Sequence, residues 1–165
     1  MDLSEQDLKK IKSLHVMLKM PIWILERETN RVLKSYKSIY KHPISYEFKE
    51  KNISDEVVRF YSGMLNEIFL CLWYQDVRIV IGAFRINNVT STEFSHVYDN
   101  LTPENKKILS EKECWEYYSS LPVYPLGDIR DYLILLGFLF DMNLEEIYSE
   151  ELHKQVGENQ LELVR

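Results

Sequence analysis

IFLCLWYQDVRIVIGAFR, residues Ile68–Arg85, is the stretch on which the fold turns. Gln75-Asp76 reads as a two-residue hairpin loop. It pairs Tyr74 with Val77, Leu72 with Ile79, Leu70 with Ile81 and Ile68 with Ala83 on one face. The other face carries Trp73 beside Arg78, Cys71 beside Val80 and Phe69 beside Gly82. Strand side chains alternate between faces, so neither side of this hairpin suits open water. Both need cover, which predicts a sheet held between layers.

Outward from the hairpin, Leu8, Ile11, Leu14, His15 and Leu18 recur at helical spacing, and Ser4 with Asp7 resembles a capping box. A helix over Ser4–Met20 is expected, ended by Pro21. Ile22–Leu25 and Val32–Tyr36 read as a second hairpin, turning through Thr29-Asn30. Ile44, Tyr46 and Phe48 alternate with polar residues after Pro43, as in a short edge strand. Ser54 is placed to cap a helix carrying Val57, Phe60, Tyr61, Met64 and Leu65.

Beyond the central hairpin, residues 86–100 read as a polar, interrupted loop with local helix. Thr102-Pro103-Glu104 is a helix start that brings Ile108, Leu109, Trp115 and Tyr118 toward the core. Leu121–Pro125 is a rigid connector, and Asp128 opens a long hydrophobic helix reaching Met142. The expectation is one α+β domain over residues 1–142: a mixed, mainly antiparallel sheet with helices on both faces. Residues 143–165 read as a charged helical tail or linker.

At 165 residues the chain is long enough to bury a core, and 45% apolar and 13% aromatic residues exclude a disordered one. A net charge of −6 argues against an extensive phosphate-neutralising surface on this segment. Cys71 and Cys114 are too few for a disulfide framework and read as reduced, buried thiols. The N-terminus lacks the apolar run of a signal peptide, and Tyr132–Phe140 is under half the ~20 residues of a membrane span. A cytoplasmic location with no membrane partner is expected.

Recognised reactive groupings are absent. His15, His42, His96 and His153 lie apart, and there is no CxxC, HExxH, Walker loop, Rossmann glycine pattern or nucleophile elbow. No catalytic residue, metal ligand or cofactor is assigned. His15, on an apolar helical stripe, reads first as a hydrogen-bonded packing residue. Glu111/Glu113/Glu116 and Glu145/Glu146/Glu150/Glu151 read as solvated helix faces.

One grouping stands out. Trp73 opposite Arg78 invites a cation–π contact, and Phe69 lies beside the side-chain-free Gly82. With Trp23 and Tyr36 from the first hairpin, these five residues form a candidate pocket for a small planar or anionic molecule. The competing reading is that helices simply pack on this aromatic face.

Three passages together resemble one family. LHVMLKMPIWILERETNRVLKSY is similar to the opening of sensor domains in Gram-positive AraC-type transcription regulators. VRIVIGAFR resembles the apolar strand of those domains that ends in glycine, and LPVYPLGDIRDYLILLGFLFD their later leucine-rich helix. The resemblance runs from about Leu14 to Met142 and is one of pattern. It implies a regulatory domain of PAS- or GAF-like architecture that senses a small-molecule effector, forms a homodimer, or both. It further implies DNA contact only through a C-terminal double helix-turn-helix domain, of which no pattern is visible after Asp141. The alternatives are a constitutive interaction or dimerisation domain without a ligand, and a small enzyme with a dispersed site.

Overall fold

The central hairpin pairs as read except at its open end. In the computed structural model, which describes residues 3–36 and 58–142, β4 (Ile68–Tyr74) and β5 (Val77–Phe84) are antiparallel around Gln75-Asp76. Tyr74↔Val77 through Phe69↔Gly82 follow the expected register, but Ile68 pairs with Phe84 instead of Ala83. The register shift leaves Ala83 as an extra residue. Ala83 therefore turns to the Phe69 face and Phe84 to the Ile68 face. All fifteen residues of the two strands except Tyr74 are buried, so both faces are covered.

Three further pairings complete the sheet of the described residues. β1 (Ile22–Glu26) and β2 (Val32–Tyr36) form the expected second hairpin, with Asn30 in the left-handed region at φ 56°. β1 also pairs with β5. β3 (Val58–Ser62) lies antiparallel on the free edge of β4. The order is β2-β1-β5-β4-β3, with the first and last strands side by side at the centre. All four pairings are antiparallel; the parallel contact is an isolated bridge between Arg85 and Val123.

One face of the sheet packs against α1 (Glu5–Leu18) and α5 (Leu126–Phe140). Ile11, Leu14 and Leu18 of α1, and Ile129, Leu133, Leu136 and Phe140 of α5, meet Ile22, Ile24, Leu70, Leu72, Ile79 and Ile81. Ser4 and Asp7 form the capping box at the start of α1. Complete burial of a Leu or Ile is worth about 1.5–3 kcal/mol, so this stripe accounts for much of the helix's stability. The other face carries α2 (Ser91–Asp99), α3 (Pro103–Ile108) and α4 (Glu111–Ser120). Phe94, Val97, Cys114, Tyr117 and Tyr118 cover Leu25, Phe69, Cys71, Val80 and Ala83. The α+β class, with helices on both faces, is as expected.

Several local expectations are corrected. The helix expected after Ser54 is overturned within the described residues, because Val58–Ser62 is a strand. Val58 and Phe60 bury themselves on one face while Arg59 and Tyr61 take the other, and the unpaired edge of β4 supplies the hydrogen bonds. Residues 91–99 are a capped helix that buries Phe94. The single helix expected from Thr102 is two. Leu109 is extended, Ser110 caps a new helix, and Ile108 is thrown outward, 76% exposed. The last helix starts at Leu126 and ends at Phe140, with Asp141 left-handed. The strand read at Ile44–Phe48 and the tail from residue 143 lie outside the described residues. Among the described residues, no helix is long and apolar enough to cross a membrane.

Candidate functional site

Pairing register fixes which of the five candidate residues meet. Trp23 pairs with Val80, which pairs with Cys71; Leu25 pairs with Arg78, which pairs with Trp73. Trp23, Phe69, Trp73 and Arg78 thus share the face carrying α2–α4. Tyr36 does not. It pairs with Ile22 and packs into the opposite core beside His15, ring centroids 5.7 Å apart, so it leaves the candidate site. The alternation of β2 places Tyr36 opposite Trp23's face, because Trp23 pairs with Ser35.

The remaining four divide along the sheet. At one end Phe69 lies in the second core, and Trp23 packs beside it with centroids 6.2 Å apart. There the packing interpretation prevails. Phe94 stacks against Tyr118 and Trp115 at 5.0 and 5.4 Å, and this aromatic layer roofs the sheet. Phe69 also covers Gly82 closely enough that a β-carbon on Gly82 would lie 2.6 Å from its ring.

At the other end the chemistry is polar. The guanidinium of Arg78 stands 4.1 Å from the Trp73 ring centre, and that of Arg27 stands 4.5 Å from it. Arg78 is 4% exposed and Trp73 9%, whereas Arg27 is exposed. Arg78 Nη1 donates to Asn30 Oδ1 at 2.8 Å, tying the β1–β2 turn to the sheet. Two cations, an indole and a turn amide are therefore gathered at one edge of the second face. A buried cation–π contact is worth about 2 kcal/mol. Arg27 and Asn30 were not among the expected site residues; the turn chemistry of Thr29-Asn30 was the one sequence signal that pointed there.

A second polar centre lies at the opposite end of β5. Arg85 Nε donates to Leu121 O at 3.2 Å, and Nη2 donates to Leu121 O and Ser119 O at 2.9 and 3.2 Å. Its backbone also pairs with Pro122 and Tyr124. Arg85 is thereby a clamp on the α4 C-terminus, satisfying carbonyls that a helix end leaves open. Burial pushes the nearby Tyr118 hydroxyl up to about 12, against the pull of the Arg85 charge.

The other reactive side chains are engaged in packing. Burial raises the Cys71 thiol to about 12 despite the neighbouring charge of Arg78, and burial likewise raises Cys114. His15 Nδ1 lies 2.7 Å from Met20 O, where it donates and ties down the end of α1. Glu111, Glu113 and Glu116 are exposed, as a solvated face should be. Among the described residues no group of His, Cys, Asp and Glu is arranged to hold a metal ion. Comparison with protein-family models, curated proteins and solved structures gives no match for this chain.

Proposed function

We propose that this chain is a regulatory domain of an AraC-type transcription regulator, a non-catalytic module that senses a small-molecule effector and acts on a C-terminal DNA-binding domain. The observation that carries this reading is the edge of the second sheet face, where Trp73, Arg78, Arg27 and Asn30 converge beside a helical roof. Apolar surface with a few convergent polar groups is the usual chemistry of a small-molecule site. The open antiparallel sheet, with first and last strands paired at its centre, supports the PAS- or GAF-like part of the reading. The acidic net charge fits a module that leaves DNA contact to another domain.

Homodimerisation is the second reading, favoured by a specific observation. Phe138 projects from α5 at 83% exposure, and Val16 and Met17 project from α1 at 65% and 60%. Both helices lie on the same face of the sheet. An effector that altered the association of two such faces would change DNA affinity through the coupling between the two equilibria.

A thermal-shift screen of small metabolites, combined with sedimentation over a hundredfold concentration range, tests both. A sensor gains stability as RT ln(1 + [L]/Kd) with a saturating ligand. A chain that no metabolite stabilises and that stays monomeric throughout would overturn the regulatory reading.

A further inference from the structure

Among the described residues, the β1–β2 turn carries a buried donor with no acceptor. Asn30 is 7% exposed, and its Nδ2 is buried without a hydrogen-bond partner, while its Oδ1 accepts from Arg78 Nη1. Flipping the amide does not help, since it would set an N–H against the guanidinium. The backbone of Asn30 is already committed: its N–H donates to Glu26 O at 3.0 Å, and its φ of 56° is one that Asn tolerates better than most residues. An orphaned buried amide donor is costly, so its retention at a turn calls for an acceptor from outside the chain.

The surroundings define that acceptor. Arg78 and Arg27 bring two positive charges within 4.5 Å of the Trp73 ring, and Arg27 is exposed where the others are buried. A carboxylate accepts several hydrogen bonds and gains from both charges. We infer that Asn30, Arg78 and Arg27, beside Trp73, form a binding site for a small carboxylate, with Asn30 Nδ2 donating to one carboxylate oxygen. The inference rests on the sensor reading and sharpens it, because it names the ligand class and assigns Asn30 as the residue that selects it. Arg27 is the cation at the mouth.

Titration calorimetry and tryptophan fluorescence with benzoate, using benzyl alcohol as the uncharged control, test the assignment. Saturable benzoate binding is expected, with a fluorescence change lost in Trp73→Phe and binding at least tenfold weaker for benzyl alcohol. Asn30→Asp keeps the partner of Arg78 but turns the orphan donor into an acceptor. It should weaken benzoate at least tenfold without lowering Tm. Arg27→Ala, at an exposed position, should weaken it severalfold with the fold intact. The assignment is overturned if benzoate does not saturate, if benzyl alcohol binds as well, or if Asn30→Asp binds benzoate within twofold of the wild type. A buried water on Nδ2 predicts the first of these. Should another metabolite still stabilise the chain in that case, the sensor reading stands and this site assignment alone fails.

Discussion

Arg78 faces Trp73 directly across the β4–β5 pair, its guanidinium carbon 4.1 Å from the indole centre, while its Nη1 holds Asn30 of a different hairpin. One side chain thus joins the central hairpin to the turn of its neighbour. Arg78→Met keeps the bulk but removes the ring contact and leaves the Asn30 carbonyl buried without its donor. The expected loss is about 3 kcal/mol, from about 1–2 for a desolvated cation–π contact and about 1–3 for the unpaired acceptor. Urea denaturation should show it as a lower midpoint with an unchanged slope. Arg78→Lys should fall between the two, having charge but no planar fork.

Two glycines respond in opposite directions to alanine. A β-carbon on Gly82 would lie 2.6 Å from the Phe69 ring and 3.0 Å from both Ile68 O and Phe69 Cα. Backbone cannot yield as a side-chain tip does, so Gly82→Ala should cost about 2–3 kcal/mol by overpacking. At Gly127, in the first turn of α5, nothing lies within 4 Å of the added carbon. Gly127→Ala should raise stability by about 0.5–1 kcal/mol through helix propensity. Thermal midpoints of the two variants measure the contrast.

Arg85 should behave as a clamp and not as a binding residue. Its three hydrogen bonds run to the carbonyls of Ser119 and Leu121. Arg85→Lys can satisfy fewer of them and should lose about 1–2 kcal/mol, with faster hydrogen exchange concentrated at the α4 C-terminus. Benzoate affinity should be unchanged, since Arg85 lies at the other end of β5 from Arg78.

The contrast between what the sequence reveals and what it hides has physical causes. The central hairpin was legible because Gln75-Asp76 is the polar break between two apolar strands and so sets the register, and only the bulge at Ala83 escaped it. β3 was not, because Val57, Phe60, Tyr61, Met64 and Leu65 also satisfy helical spacing, and the free edge of β4 decides between the two. The break before α4 had a signal, Ser110 followed three residues later by Glu113, which is the capping pattern the side chain then fulfils. Of the candidate site, Trp73 and Arg78 followed from register alone. Tyr36 was misplaced because the two hairpins' relative faces depend on the β1–β5 pairing, a non-local contact. Asn30 and Arg27 come from a turn, where position is set by tertiary closure.

Stability should fall at both ends of the pH scale for identifiable reasons. Burial raises Asp7, but hydrogen bonds from Ser4 and from the Tyr74 hydroxyl, 3.0 Å from Oδ1, outweigh it and leave the carboxyl below its ordinary 3.8. A depressed carboxyl stabilises the fold above its unfolded value and stops doing so as pH falls through the folded one. Asp7→Asn should therefore flatten the acid limb below pH 4. Burial raises Tyr118 and Tyr124 from 10.0 to about 12. Their contribution is complete below pH 10 and vanishes as pH rises through about 12. Tyr118→Phe should make the alkaline limb shallower, read from urea midpoints between pH 9 and 12.

The two thiols give a direct measure of how tightly the second face is closed. Cys71 is 4% exposed, Cys114 is fully buried, and burial pushes the Cys71 thiol from 9.0 up to about 12. Only the thiolate attacks a disulfide reagent, so at pH 8 both the reactive fraction and the access are suppressed in the folded state. Ellman's reagent should label neither cysteine on mixing, and then modify both at a rate that tracks unfolding as urea is raised. Cys114 lies on the buried side of α4, which the Arg85 clamp secures, whereas Cys71 lies on the sheet itself. In Arg85→Lys, Cys114 should therefore become labelled several times faster than Cys71. Equal acceleration of the two would mean that α4 does not open separately from the sheet.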